Sequence, residues 1–379
     1  MLDAFGVRLN LLIGQGLPLP APAMVSEALE SAEVALSDTE PSGFTLVFKL
    51  GKSTALAGDM PLLMLPSLQA GARIVLTGII GVRMTVLIDG IVETAEMKAG
   101  EGGTGGTLTL MGRDLAALLD REERQEQFPA MAPGDIALVI LARYAGLGII
   151  PDVRAPIAAD RDAPTDRTPM QNGTDLAYLR ELAAAFDHIF TIIPGPVPLT
   201  VRAYWGPPPR LGGVQAAITV DMGPDSNASG LTFESAPGGA AQVGGQVLDA
   251  TTGQTLPVQS TVPLRPPLAA MPAALNPLTA ASRILRPQAG QSATQAMAQA
   301  QAQADATSDT VTVKGELDLG RYGRVLEPRK LVGLRGAGLA HDGFYYVRDV
   351  VHAISRGAWT QTFTLVREGL GTTTPIVRP

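Results

Sequence analysis

Residues 343–366 read GFYYVRDVVHAISRGAWTQTFTLV, and they contain the clearest predicted β-hairpin of the chain. In Trp359–Val366 larger side chains alternate mostly with threonine, which is the period of two expected of a strand with one buried face. The face with the larger side chains consists of Trp359, Gln361, Phe363 and Leu365. A turn over Ser355–Ala358 joins this strand to Phe344–Ile354. The pattern predicts antiparallel strands.

Strand patterns of the same kind occur in the first 120 residues. The predicted strands there are Phe44–Leu50, Arg73–Ile80, Met84–Glu93 and Thr107–Met111. The glycine-rich run Gly100–Gly106 separates the last two and reads as a turn. Short strands joined by turns of this kind are typical of a small β-barrel or a sandwich.

One pattern occurs near the end of both predicted β regions. Asp89-Gly90 begins a predicted strand that leads to the threonine-rich strand at Thr107, and Asp342-Gly343 begins one that leads to Thr362. Two related barrels would produce this repeat, but hairpins of unrelated origin also resemble one another, and the residues leave both explanations open.

The middle of the chain changes to a helical period. Asp114 is a candidate N-cap for Leu115–Arg124, Pro133 begins a second predicted helix, and Thr174 caps a third. The third helix has Leu176, Leu179, Leu182, Ala183 and Phe186 on its predicted buried side. These segments predict a helical insert packed against the β regions.

Strands resume at Ile189, and the predicted fold class is therefore mainly β with an α insert, an α+β chain. The predicted domains are a first β-barrel over residues 1–120, a helical insert over 121–195 and a second, similar β-barrel over 196–379. Residues 250–306 form a long Pro-, Ala- and Gln-rich excursion within the second barrel. Ala293–Ala304 has helical propensity but shows no apolar stripe beyond its alanines and Met297.

Composition limits the chemistry. The 379 residues exceed the length at which one hydrophobic core stops growing, and 42 glycines with 30 prolines supply many turns. The absence of cysteine excludes disulfides, thiolate zinc sites, iron–sulfur clusters and cysteine nucleophiles. His188, His341 and His352 are the three histidines, and no two have the spacing of metal ligands on a helix. We therefore predict no metal site and no cofactor.

Charge argues against nucleic acid and membranes as partners. The net charge is −7, with −11 in residues 1–235 and +4 in residues 236–379. Phosphate contacts need clustered Lys and Arg, which the acidic part lacks. The longest uncharged apolar stretch, Leu9–Ser26, is interrupted by glycines and prolines, so we expect no membrane span, no signal peptide and a mature N-terminus.

The short motifs give no catalytic site. Residues 100–105 match G-x-G-x-x-G but lie between strands, and Gly51-Lys52-Ser53 lacks the first glycine of a P-loop. No G-x-S-x-G elbow is present for a serine hydrolase. The carboxylates at 122, 123 and 126 look like a solvated helix face, and those at 160, 162 and 166 look like an acidic loop. We predict no catalytic residues and no enzyme.

The order of segments resembles the phage late-control-D tail proteins. Met170-Gln-Asn-Gly-Thr-Asp-Leu-Ala-Tyr-Leu-Arg-Glu-Leu-Ala183 is similar to their helix signature. Residues 343–352 with Gly357 and 359–365 are similar to their C-terminal hairpin. Leu108–Leu119 fits their first barrel, and the resemblance covers most of residues 40–370.

The resemblance implies a structural baseplate hub of a phage tail or contractile injection system, related to the hub part of type VI secretion spike proteins. Its expected partners are two further copies in a homotrimer, a separate spike protein, inner-tube or tube-initiator proteins and other baseplate proteins. The trimeric ring would adapt a six-fold tube to a three-fold spike. The expected location is the bacterial cytoplasm during assembly and the particle afterwards. The alternative function is a tail-associated cell-wall hydrolase.

Overall fold

The structure is a computed structural model that describes residues 7–51, 61–100, 106–156, 168–248, 253–260, 262–278, 280–287, 292–374 and 377. The protein is mainly β, as predicted, with a large and mostly antiparallel sheet and short helices. No helix in these ranges is both long and apolar enough to cross a membrane.

The elements before residue 207 are β1 (Val7–Gly14), β2 (Leu19–Pro20), α1 (Ala23–Ala28), β3 (Leu29–Ser37), β4 (Gly43–Leu50), β5 (Arg73–Ile80), β6 (Arg83–Ala99), β7 (Gly106–Asp114), β8 (Glu123–Gln127), α2 (Pro133–Ala142), β9 (Ile149–Val153), β10 (Met170–Thr174), α3 (Asp175–Ala184), β11 (Ile189–Pro194) and β12 (Val201–Gly206). Those after it are β13 (Val214–Thr219), β14 (Ala228–Ser235), β15 (Ala241–Leu248), β16 (Thr255–Ser260), β17 (Ala269–Pro272), β18 (Ala281–Ile284), α4 (Ala293–Ala306), β19 (Val311–Asp318), α5 (Leu319–Tyr322), β20 (Leu331–Arg335), β21 (Gly343–Ser355), β22 (Ala358–Arg367) and β23 (Gly369–Thr372).

The large sheet of 13 strands contains two sets of six strands with the same strand order. We call them the first and the second six-strand unit. The first runs β3-β4-β7-β6-β5-β1, and the second runs β14-β19-β22-β21-β20-β13. Numbered along the chain, each unit has its second strand at one end and its first strand at the other. One pair differs, because β1 is antiparallel to β5 whereas β13 is parallel to β20.

The repeated Asp-Gly pattern occupies matching ladder positions in the two units. Lys98 lies eight residues after Gly90 and opposite Thr107, and Val351 lies eight residues after Gly343 and opposite Thr362. Each ladder has one register shift in between. The first Asp-Gly differs from its predicted location in one respect, since it lies inside β6 rather than at the start of a strand.

The two units join edge to edge within the chain. The outer part of β21, from Asp349 to Ser355, pairs antiparallel with β3. Near this joint Ile354 and Trp359 of the second unit enter the core of the first. Close packing requires glycine at position 78, because a Cβ there would lie 2.2 Å from the Trp359 ring.

The segment between the units contains more strands than predicted. Its core extends from Leu115 to Trp205 and includes α2, α3 and the three-stranded sheet β11-β12-β9. Thr174 caps α3 as expected, accepting a hydrogen bond from the amide of Ala177. Asp114 also caps a helix, but that helix is a single 3-10 turn, Leu115–Leu118. The chain leaves it because residues 123–127 pair with β10.

Residues 236–310 are inserted between β14 and β19. They include the predicted excursion 250–306, and from here on we use the name excursion for the whole of 236–310. They contain the small sheet β16-β15-β18, against which α4 packs. The sequence predicted that α4 has no apolar stripe beyond its alanines and Met297. The buried stripe does consist of alanines, since Ala296, Ala300 and Ala304 are buried at a spacing of four, whereas Met297 is 44% exposed. Small side chains let the helix lie close to its sheet.

Candidate functional site

A central cleft of about 1330 Å³ lies where the first six-strand unit, the 115–205 core and the excursion meet. Its lining includes Met84–Leu87 of β6, the segment Pro207–Leu211, and residues of α4 such as Met297 and Gln301. The lining is rich in proline and aliphatic side chains. The charged side chains on its walls decide whether the cleft can bind a charged ligand or carry out acid–base chemistry.

Arg265 of the excursion makes the strongest ionic contacts at the cleft. Its Nε and Nη2 donate to the two carboxylate oxygens of Asp187 at 2.7 and 2.6 Å, and its Nη1 donates to Asp309 at 2.8 Å. Burial raises the pKa of Asp187 to about 6, although Arg265 opposes this shift. The bidentate geometry fastens the excursion to the end of α3.

Arg210 extends this network below the surface. It donates to Asp309, and its guanidinium lies 5.3 Å from the centre of the Tyr346 ring. The nearby Glu368 carboxylate accepts hydrogen bonds from the amides of Leu268 and Ala269. These charges are compensated inside the protein. The network therefore ties the excursion to the second unit and presents no unpaired cation to a ligand.

His188 lines the cleft but is unsuited to act as a base at neutral pH. Burial lowers the pKa of His188 to about 4, so the imidazole is neutral. Its ring stands edge-on to Trp205 at 4.8 Å, and its Nδ1 is buried without a hydrogen-bond partner. A catalytic imidazole needs an orienting group on that nitrogen.

The other two histidines are also structural. The indole Nε1 of Trp359 donates to Nδ1 of His352 at 3.2 Å, which makes Nδ1 the unprotonated nitrogen. Burial lowers the pKa of His352 to about 3. Burial likewise lowers the pKa of His341, whose ring contacts Phe233 at 4.5 Å. His352 lines the same cleft as His188, whereas His341 is not among the residues that line it.

The carboxylates at 122, 123 and 126 were expected on a solvated helix, and that was wrong. Glu123 and Glu126 lie on the strand β8. Arg143 donates both to Glu126 and to the buried Asp175, and Arg124 donates to Glu122 at 2.6 Å. Arginines therefore neutralise Glu122 and Glu126.

In the ranges that the structure covers, no group of three His, Asp or Glu side chains has the arrangement of a metal site. The acidic loop positions 160, 162 and 166 lie outside the described residues, as do positions 101–105 of the glycine-rich run and positions 52–53 of the P-loop-like triplet.

Among the described residues, two uncovered stretches of sheet edge are candidate functional surfaces. One is the outer part of β6, residues 93–99, and the other is β14. Every residue of 93–99 is exposed, and all of β14 is exposed or half-buried. Sequence reasoning missed both edges, because alternation along a strand does not reveal which neighbours the strand has.

Comparison with solved structures gives matches over nearly the whole chain. A tail protein from Neisseria meningitidis MC58 has a TM-score of 0.63 at 14% identity and covers 97% of this chain and 98% of its own. The 43 kDa tail protein of prophage MuSo2 from Shewanella oneidensis has a TM-score of 0.63 at 13% identity, covering 95% and 98%.

The chain has the fold of phage tail proteins. A third match is the E. coli c3393 protein, a type VI secretion component described as similar to T4 tail proteins gp27 and gp5, with a TM-score of 0.54 at 11% identity over 93% of this chain and 77% of that one. No protein-family model and no curated protein matches the sequence. The predicted resemblance is confirmed as a likeness of fold.

Proposed function

We propose that this chain is a structural subunit of a phage tail or contractile injection system, and that it forms the central hub of the baseplate. The observation that carries the proposal is the fold shared with tail proteins over nearly the whole chain. The repeated strand order within the chain supports it. Each six-strand unit packs around a core of its own, which supports the proposal that each is a small barrel.

The hub is a homotrimer in which each copy contributes two barrels. Three copies then give six similar units, which match a six-fold inner tube on one side while three-fold symmetry matches a spike on the other. The partners are a separate spike protein, inner-tube or tube-initiator proteins and other baseplate proteins. The chain assembles in the bacterial cytoplasm and then belongs to the particle.

The domain organisation that we propose follows the core clusters. The first barrel ends near Asp114, the insert extends from Leu115 to Gly206, and the second barrel begins at Val214. The excursion 236–310 is then a subdomain of the second barrel rather than an extended loop.

The hub proposal is tested by measuring the mass of the purified chain, with and without its spike partner, by light scattering and by imaging it in negative stain. A trimeric ring is the expected result. A chain that stays monomeric in both preparations would contradict the hub.

The proposed hub is not an enzyme. The histidines support this view, because each has a buried Nδ1 or Nε2 without a hydrogen-bond partner and a lowered pKa. A peptidoglycan zymogram tests it against the cell-wall hydrolase. We expect no clearing, and clearing that is lost when a single carboxylate is replaced would overturn the structural role.

A further inference from the structure

One wall of the central cleft is the small sheet β11-β12-β9. Asp152 of β9, Arg154 directly after it and Arg202 of β12 line the cleft from this side. The rest of the lining includes the start of β6, residues 207–211, residues 264–266 and α4. Segments that are far apart in the sequence therefore meet around one space.

α4 presents a second face to the cleft, distinct from the alanine stripe that packs on its own sheet. Met297, Gln301 and Asp305 follow one another at a spacing of four and line the cleft. The two polar members contact each other, since Nε2 of Gln301 donates to Oδ1 of Asp305 at 3.1 Å. Met297 is 44% exposed. The helix therefore offers the cleft one apolar side chain that the fold leaves largely uncovered.

Three more large apolar side chains of the lining are exposed in the same way. They are Met84 of β6, Leu211 and Leu264, and the two leucines are 80% and 70% exposed. Single exposed apolar side chains are ordinary on a protein surface, but several gathered around one concave space mark a binding site. The cleft therefore provides anchoring positions for the apolar side chains of another molecule.

The size and the backbone chemistry of the cleft favour a polypeptide as that molecule. Its volume of about 1330 Å³ exceeds the roughly 300–1,000 Å³ of most small-molecule pockets. Eight prolines line it, three of them consecutive at Pro207–Pro209. Proline has a carbonyl acceptor but no N–H donor, and its ring fixes φ. A polypeptide brings N–H donors along its whole length, whereas the acyl chains of a lipid bring none.

The charged side chains at the mouth of the cleft favour an acidic segment. Arg154 and Arg202 are 65% and 52% exposed, and both pair with the single carboxylate of Asp152 at 3.1 Å. One carboxylate does not neutralise two guanidinium groups. The third exposed cation of the lining, Lys330, has Glu327 as its own partner at 2.7 Å. This side of the cleft therefore carries an excess of positive charge, in a chain whose net charge is −7.

We propose that the central cleft binds an extended segment of a partner protein that carries a carboxylate among apolar side chains. The apolar side chains pack against the four exposed positions, and the carboxylate pairs with Arg154 and Arg202. The proposal goes beyond the hub function, because the cleft lies within one chain and needs no second copy.

Selection of peptides on the purified chain tests this chemistry without fixing a sequence beforehand. A phage-displayed library of random decapeptides is selected on the immobilised full chain. The most enriched peptide is then synthesised with a fluorescent label and titrated by fluorescence polarisation. We expect the enriched sequences to combine Asp or Glu with Leu, Ile, Val, Met or Phe. A library without enriched sequences, or with basic ones, would overturn the proposal.

Two variants of the cleft show where the selected peptide binds. Met297→Glu places a negative charge at an apolar anchoring position, and Arg154→Gln/Arg202→Gln removes the excess positive charge. We expect each variant to weaken binding by about tenfold or more. Wild-type affinity in either variant would contradict the proposed contacts.

The matched controls change the same kinds of side chain outside the cleft. Ile284→Glu and Arg283→Gln/Arg286→Gln alter exposed positions of the excursion that do not line the cleft. We expect both to bind the peptide as the wild-type chain does. A loss equal to that of the cleft variants would place the peptide elsewhere and overturn the proposal. Circular dichroism and the melting temperature of every variant check that the fold is kept.

Two further results separate this proposal from a lipid site and from the hub. We expect no co-sedimentation with phosphatidylglycerol vesicles, and co-sedimentation that Met297→Glu abolishes, without peptide enrichment, would assign the cleft to lipid instead. A chain that stays monomeric but binds the selected peptide would contradict the hub and leave the cleft proposal intact. A trimeric ring that selects no peptide would do the reverse.

Discussion

The two six-strand units share a strand order but differ in the connection between their second and third strands. In the first unit, residues 38–42 join β3 to β4, whereas in the second the excursion 236–310 joins β14 to β19. Both units keep their sheet and core. The difference teaches that the sheet tolerates a long insertion at a surface connection, provided that the insertion folds on itself and is fastened down.

The largest expected effect comes from separating the units at their joint. Trp359→Ala removes a ring from the core of the first unit and the donor to His352, so we expect the free energy of unfolding to fall by about 3–5 kcal/mol. Denaturant titration followed by circular dichroism measures this loss.

Thr362→Ala is the matched control on the same strand, because its side chain is exposed and its replacement should change stability by less than about 0.5 kcal/mol. Equal small losses for both variants would mean that the units are not coupled through this ring.

The next effect tests what fastens the excursion. Arg265→Met removes the bidentate partner of Asp187, while Asp309 keeps its hydrogen bond from Arg210. Since the Asp187 side chain is 13% exposed, we expect a loss of about 3 kcal/mol in the free energy of unfolding. The double variant Arg265→Met/Asp187→Asn should recover part of this loss, because no uncompensated charge remains on Asp187. Thermal unfolding of the three proteins measures the difference.

Lys330→Met is the control, since its ion pair with Glu327 is exposed on both sides and should contribute less than about 1 kcal/mol. A loss for Arg265→Met as small as this would mean that the excursion is fastened by apolar contacts alone.

Sequence patterns predicted the individual strands and helix caps better than they predicted which strands pair with one another. Alternation identified Trp359–Val366, and Thr174 and Pro133 marked two helix starts, because these signals are local. The pairing of β3 with β21 joins residues about 300 apart, and the free edge at residues 93–99 depends on where β5 ends. Neither feature has a local signature. The sequence predicted a helix with alanine as its main apolar residue, but it did not show which alanines of α4 are buried, because alanine is apolar enough to pack yet common on exposed helices.

A smaller, pH-dependent effect distinguishes the units at the end of β7. Burial raises the pKa of Asp114 to about 7, while the Ala116 amide and Arg329, Arg180 and Arg113 oppose this shift. By the register, the corresponding residue of the second unit is Gly369, which does not titrate. Between about pH 4 and pH 7, Asp114 therefore carries a proton in the folded state but is ionised in the unfolded state.

This bound proton determines the direction in which stability changes with pH. Relative to Asp114→Asn, the wild-type protein should gain stability as the pH falls from 8 to 5, by up to about 1.4 kcal/mol per pH unit. Comparing melting temperatures of the two proteins at pH 5, 6.5 and 8 measures the gain and cancels the opposite contribution of the buried histidines. Parallel curves for the two proteins would show that Asp114 is ionised throughout.

The smallest effect concerns the excursion alone. Ser292 and Gln295 form a capping box at the start of α4, with the Ser292 hydroxyl accepting from the Gln295 amide at 3.1 Å. Ser292→Ala should cost about 1 kcal/mol. Because α4 belongs to a core separate from those of the six-strand units, the loss should appear as faster amide hydrogen exchange in residues 293–306 and leave the sheets protected.

Thr294→Ala is the control within the same helical turn, since Thr294 is exposed and alanine is the better helix former. It should leave exchange in α4 unchanged or slightly slower. If Ser292→Ala instead accelerated exchange in β19 and β22, the excursion would be part of the cooperative unit of the second sheet. The second six-strand unit would then depend on its insertion for stability, which the first unit, with its short connection at 38–42, does not.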